Sequence, residues 1–224
     1  RDVVIRNNIL ENTFFGIYAQ YAVNCTIEKN TLVAYNKEEQ QSGNGIHCWK
    51  ADSMRIIANT VSGHRDGIYF EFVTHSVIWR NISFNNMRYG LHFMFSNNDA
   101  YISNVFENNG WALKIQASCM DVVLELNNFI GNTFDVGTNG SLVLNRFNNN
   151  YWDKYDGYDL DKDEIGDIPY RPVSMYSMIV EKYPPAMILF RSFITSLLDK
   201  TEKLIPSLTP ENLKDTAPMM KRAF

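Results

Sequence analysis

Apolar residues recur along this chain in the phrase apolar-x-x-Asn-x-apolar, at Ile5/Asn8/Leu10, Ile27/Asn30/Leu32, Ile56/Asn59/Val61 and Tyr101/Asn104/Phe106. Leu124/Asn127/Phe129 and Leu142/Asn145/Phe147 continue it, and Ile78/Asn81/Ser83 joins with Ser83 where the others are apolar. The Asn spacings are 22, 29, 22, 23, 23 and 18. A second marker runs in step: GIYAQ at Gly16, GIHCW at Gly45, GIYFE at Gly67, GLHFM at Gly90 and ALKIQ at Ala112. From each marker to the next Asn is 14 residues, or 15 in the last case, so the extra seven residues of the 29 spacing fall between Asn30 and Gly45. There the polar stretch AYNKEEQQSGN is expected to loop out.

A period of about 22 residues built from short alternating segments with Asn and Gly between them predicts an all-β solenoid. Each unit is one coil of a parallel β-helix whose strands stack at roughly 4.8 Å. Stacked Asn side chains can hydrogen-bond along the stack, and Gly is expected to supply unusual backbone angles at the other corner. The ladder of Leu that a leucine-rich repeat needs is absent, and period-2 segments this short do not make helical repeats. Alternation points Ile17/Ile46/Ile68/Leu91/Leu113 and Ala19/Cys48/Phe70/Phe93/Ile115 inward. It points Tyr18/His47/Tyr69/His92/Lys114 and Gln20/Trp49/Glu71/Met94/Gln116 outward.

From Pro185 the period becomes helical, with Met187, Phe190, Ile194, Leu197 and Leu198 spaced for one apolar face. Pro185 starts this helix and Pro206 ends it, and Thr209-Pro210-Glu211 reads as the N-cap of a last short helix. The apolar face either caps the open end of the solenoid or docks on another protein. The chain thus divides into coils over 1–150, an acidic turn and linker over 151–184, and a helical tail over 185–224.

Composition narrows the function. A net charge of -4 and the lack of any Lys/Arg cluster beyond Lys221-Arg222 exclude a nucleic-acid partner. Cys25, Cys48 and Cys119 form no CxxC pair, which argues against a disulfide framework or a zinc site. Cys48 reads as a small core hydrophobe. The longest apolar run, Ala186–Phe190, is far shorter than the roughly 20 residues of a membrane span.

Three groups carry metal-capable side chains. Glu71 on one rung beside His92 and Met94 on the next offers O, N and S donors, and thioether plus imidazole suits Cu(I). His64 and Met87 each stand three residues before their Gly and should stack, giving a second candidate copper pair. Asp159, Asp161, Asp163 and Asp167 take positions 1, 3, 5 and 9 of an EF-hand-like calcium loop, with Glu164 where Gly belongs and Tyr170 where the bidentate Glu belongs. The plain alternatives are a solvated ladder, chance adjacency and an acidic turn that ends the solenoid.

The segment NYWDKYDGYDLDKDEIGDIPYRPVSMY, followed by EKYPPAMILFRSFITSLLDKTEKLIPSLTPENLKDTAPMMK, resembles the C-terminal signature of the NosD family of nitrous-oxide-reductase maturation proteins. The coils, including RYGLHFMFSNN, are similar to that family's repeats. The resemblance implies a periplasmic, right-handed β-helix that catalyses nothing and works with an ABC-type transporter of ATPase and permease subunits. It also implies transient copper received from a membrane-anchored copper chaperone for the copper-sulfur centre of nitrous oxide reductase, with the C-terminal helices docked on the permease. The family's Asp-Gly-Asp-Gly-Ile-Gly-Asp turn reads DKDEIGD here, and the family's signal peptide and first coils are expected to lie upstream of Arg1. The rival is a carbohydrate-binding or carbohydrate-cleaving β-helix, which needs paired carboxylates where the outward rows offer Glu71 alone.

Overall fold

Each unit folds as a coil of three short strands, and successive coils stack so that every strand lies parallel to its counterpart 22 or 23 residues later, or 29 at the insertion. The computed structural model describes residues 1–35, 38–116, 118–139, 145–190, 192–204 and 213–224. Among them the strands form three parallel sheets of seven, seven and six strands. In the first sheet Ile5, Ile27, Ile56, Ile78, Tyr101, Leu124 and Phe147 are in register. In the second, Leu10, Leu32, Val61, Ser83, Phe106, Phe129 and Trp152 are aligned. The third aligns Ile17, Ile46, Ile68, Leu91, Leu113 and Val136. From Ile27 onward these rows are buried and make one continuous core that includes Cys25, Cys48 and Cys119 as free thiols.

Between the first two sheets the expected Asn ladder forms. Asn30, Asn59, Asn81, Asn104 and Asn127 each present Oδ1 to the backbone N–H and the Nδ2 of the Asn one coil before, at 2.9–3.0 Å. Its last member corrects the expected register: Asn150, not Asn145, accepts from Asn127 N and Nδ2 at 3.0 and 2.9 Å. The final unit is therefore Phe147/Asn150/Trp152, spaced 23 residues from its predecessor. Asn145 serves a different corner, where its Oδ1 accepts from Val122 N at 3.0 Å, and Leu142 lies outside the described residues. A second ladder, which the repeat phrase did not reveal, runs through Asn86, Asn109 and Asn132 before the third sheet.

The glycine column is also there for a different reason. Gly16, Gly45, Gly67 and Gly90 do not have positive φ. What they lack is room: a Cβ at Gly45 would stand 2.7 Å from Gly67 O and 2.2 Å from Val61 Cγ1, and one at Gly67 would stand 2.0 Å from Ser83 Oγ. Ser83 sits beneath this column and donates to Gly90 O at 2.7 Å, which explains a hydroxyl in an apolar row. The left-handed turn positions go instead to residues such as Asn7, Asn24, Asn85 and Asn98, with φ between 53° and 59°. Asn is among the non-glycine residues that tolerate that region best.

The tail differs from the single helix expected between Pro185 and Pro206. Helix α1, Met175–Lys182, forms within the expected linker, with the Ser174 side chain accepting from Ser177 N as its N-cap. A 3-10 segment, Pro184–Leu189, follows and ends where Phe190 turns extended; helix α2 spans Phe193–Leu204. Pro206 and the Thr209-Pro210-Glu211 cap lie outside the described residues. Tyr176, Val180 and Ala186 bury themselves against Trp111 and Phe134 on the outer side of the third sheet, with the Val180 side chain worth about 1.5–3 kcal/mol of apolar burial and the Ala186 methyl about 0.8 kcal/mol. The helices lie along the side of the coils, and the end of the Asn ladder is covered by the last residues of the chain. Asp215, fully buried, accepts at Oδ2 from Asn150 N, Asn150 Nδ2 and Trp152 Nε1 at 3.0, 2.9 and 3.0 Å. Among the described residues no helix is long and apolar enough to cross a membrane.

Candidate functional site on the outer face of the third sheet

Strand register brings the outward rows together as alternation predicted. Tyr18, His47, Tyr69, His92 and Lys114 are neighbours on successive rungs, and Glu71 pairs with Met94. The partner of His92 on the preceding rung is Tyr69, so Tyr69 stands between the expected ligands. Its hydroxyl lies 3.0 Å from Met94 Sδ and 3.3 Å from Glu71 Oε2, holding thioether and carboxylate at one point. Burial, followed by the Glu71 carboxylate, pushes the Tyr69 phenol up, so it remains a hydrogen-bond donor. The rings of His47 and His92 pack edge-on against Tyr69, with centroids at 4.6 and 4.7 Å.

His92 points outward yet is only 8% exposed. Tyr89 covers it at 5.0 Å between ring centroids. Both its ring nitrogens are buried without a hydrogen-bond partner among the described residues. The nearest acid is Asp66, whose Oδ2 is 3.9 Å from Nδ1, too far for a hydrogen bond but within reach of a through-space charge interaction. Asp66 is engaged elsewhere: Arg88 donates to it in a two-point contact at 3.0 and 2.8 Å and also reaches Glu39 of the looped-out insertion at 3.3 Å. Burial works to raise the Asp66 carboxyl, but His92 and Arg88 outweigh it and hold the group below the usual range. His47 takes Asn44 Nδ2 at 3.2 Å on Nδ1, while its Nε2 is buried and unpartnered. Burial and then the Arg65 guanidinium bring its pKa down to about 4, so at neutral pH the imidazole is uncharged.

His64 and Met87 do stack through their backbones, Met87 N donating to His64 O at 2.9 Å. The His64 ring, however, is buried, with Nδ1 on Ser62 O at 2.9 Å. Burial lowers its pKa. Met87 is half-buried. In the acidic turn, Asp159, Asp161 and Asp163 place carboxylate oxygens within 4.8 Å of one another. Asp167 does not join them, because its Oδ2 accepts from Leu160 N at 2.8 Å. The loop is shaped by its own backbone: Asp159 accepts from the N–H groups of Lys162 and Glu164 at 2.6 and 3.0 Å, and Glu164 carries a φ of 70° at the position where Gly was wanted. In the tail, Met187, Ile194 and Leu197 are exposed, Phe190 is exposed on one side while its ring packs on Phe134 and Tyr176, and Leu198 packs against Trp111, Phe134 and their neighbours.

Sequence reasoning missed Tyr69 and Asp66 as parts of this face. Tyr69 stood in the outward row without a role assigned to it. Asp66 could have been found from its place beside Arg65, one coil before Arg88.

A family model described as "Periplasmic copper-binding protein (NosD)" matches residues 33–164. Two curated proteins named "Probable ABC transporter binding protein NosD" are similar to this chain. The one from Pseudomonas aeruginosa is 26% identical over 194 residues, covering 72% of this chain and 43% of that protein. The one from Stutzerimonas stutzeri is 27% identical over 126 residues, covering 53% of this chain and 28% of that protein. The chain spans less than half the length of either relative.

Proposed function

The chain belongs to the NosD family of periplasmic copper-binding proteins, and on that premise we propose that it takes up Cu(I) on the outer face of the third sheet and passes it on without catalysing a reaction. The observation that carries this is the meeting of Met94 Sδ and Glu71 at the Tyr69 hydroxyl, next to a buried His92 with two unpartnered ring nitrogens. An orphaned buried imidazole is costly unless it has a partner that is yet to arrive. Thioether and imidazole are the donors a soft cuprous ion prefers, and Glu71 supplies compensating negative charge.

The relatives' names tie those proteins to an ABC transporter. For this chain, the exposed apolar residues Met187, Phe190, Ile194 and Leu197 support docking of the tail on the permease of such a transporter, driven by its ATPase subunit. In this reading copper arrives from a membrane-anchored chaperone and leaves for the copper-sulfur centre of nitrous oxide reductase. The test is the triple variant Glu71→Ala/His92→Ala/Met94→Ala, whose three positions lie outside the core. It is expected to melt within about 1 kcal/mol of the parent, to lose Cu(I) in an anaerobic titration and to leave nitrous oxide reductase inactive in cells. Undiminished titration and activation would sink the proposal.

A further inference from the structure

The outer row that begins with Tyr18 and His47 runs through His92 to a lysine. Lys114 pairs in register with His92, and its side chain is only 7% exposed. A cation is therefore held within one rung, roughly 4.8 Å of backbone, of the candidate copper ligand. Left alone, that ammonium would oppose the binding of any metal cation. At an effective dielectric of about 20 and a separation of about 5–7 Å, the repulsion corresponds to a loss of affinity of roughly fiftyfold to a few hundredfold.

It is not left alone. Glu181, 67 residues later and on the last turn of α1, forms a direct ion pair with Lys114. No residue of the coils makes this ion pair with Lys114 among the described contacts, so the compensating charge is delivered by the tail. Its position depends on Tyr176 and Val180 remaining packed on Trp111 and Phe134.

We propose that α1 completes the copper site: Glu181 offsets Lys114, so the affinity of the His92/Met94 face for Cu(I) depends on α1 being seated against the third sheet. This rests on the reading of that face as the copper site. Glu181 touches no metal in this scheme; it is a positioning and charge-setting residue. The consequence is a coupling route. The chain leaves α1 directly into the exposed apolar segment that includes Met187, Phe190 and Ile194. A partner that draws this segment away also removes Glu181, leaves the ammonium bare beside His92 and drives the ion off.

The test is an anaerobic competition titration of the full chain with Cu(I) alone against a chromophoric chelator, with far-UV circular dichroism recorded for every form. Glu181→Gln is expected to weaken Cu(I) at least tenfold, and Lys114→Met/Glu181→Gln to restore it to within about threefold of the parent. An unchanged Glu181→Gln overturns the proposal, as does a double variant as weak as the single one, which would mean that Glu181 acts by packing and not by charge. Should Glu181→Gln unseat α1, Lys114→Met answers independently: with no cation left to offset, it is expected to bind at least as tightly as the parent, and weaker binding overturns the proposal. The two readings fail differently. A parent chain that takes up no Cu(I), or takes it up equally after His92→Ala, overturns the site itself; uptake that needs His92 but ignores Glu181 overturns only the role of the tail.

Discussion

Asp99 sits inside the stack of coils, with Oδ1 accepting from Ser76 N at 2.8 Å and Oδ2 buried without a partner among the described residues. Burial pushes its pKa up to about 8. The unfolded chain releases that proton near pH 4, so between roughly pH 4 and 8 the folded state binds a proton that the unfolded state has lost. Stability contributed by this group is thus present at low pH, falls as pH rises through the window and levels off above it. Asn keeps the Oδ1 acceptor, as Asn145 does for Val122 N at the same corner, and cannot ionise. Asp99→Asn is expected to be more stable than the parent at pH 8 by about 2–4 kcal/mol, the gap closing toward pH 4. Thermal melts at the two pH values check this, and a gap that does not vary with pH would refute it. At this scale alternation was enough to send Leu91 and Phe93 inward and His92 and Met94 outward. What it could not give was the burial of His92, because its cover Tyr89 packs against a cluster that includes Tyr176 and Val180 of α1, which no local pattern connects to this strand.

For the coil, the unit of stability is the rung-to-rung bond, and the Asn ladder allows it to be measured. Asn104 accepts from Asn81 N and Nδ2 and donates to Ile78 O and Asn127 Oδ1, all fully buried. Asn104→Ala strips those partners in a place water does not reach, and urea unfolding is expected to show a loss of about 3–5 kcal/mol. Asn8, exposed on the first coil, donates to Asn30 Oδ1 through both its backbone N–H and its Nδ2, so truncation leaves that oxygen with the backbone donor and loses only an exposed side-chain one. Asn8→Ala is expected to cost less than about 1 kcal/mol, and equal costs at the two sites would show that the ladder is not what stabilises the stack. The repeat phrase made this element legible because each Asn must recur once per coil. It misplaced the final unit because Asn145 and Asn150 both follow apolar residues at plausible distances, and only the spacing of 18 betrayed the error. The glycine column was found by pattern but explained wrongly: sequence shows that no side chain stands there, whereas the cause, a carbonyl of the next coil 2.5–2.9 Å from the missing Cβ, exists only once coils are stacked.

The whole molecule joins a stack of coils that ends in a buried acid cap to a helical tail that gives only part of its apolar surface to that stack. Tyr176, Val180 and Ala186 are spent on Trp111 and Phe134. Ile188, Phe193 and Leu197 remain 89%, 81% and 53% exposed. Single exposed apolar side chains are ordinary on protein surfaces, but a run of them across two consecutive helical segments is the mark of a surface that meets something else. The helical period picked out Met187, Phe190, Ile194, Leu197 and Leu198 and left out Ile188 and Phe193, the two most exposed, because it assumed one continuous helix where the chain breaks into a 3-10 segment and α2. Because the exposed set contributes little to the fold, Ile188→Asp/Phe193→Asp/Leu197→Asp is expected to change stability by less than about 1 kcal/mol while abolishing co-purification with the permease proposed above as its partner. Val180→Asp is its counterpart on the inner side of the tail: burying a charge against Trp111 and Phe134 should unseat α1, and with it Glu181, so its signature is weakened Cu(I) binding by the isolated chain. If the outer variant weakened copper binding in the isolated chain as much as the inner one, the two faces of the tail would not be doing separate jobs, and the division between docking and site completion would fall.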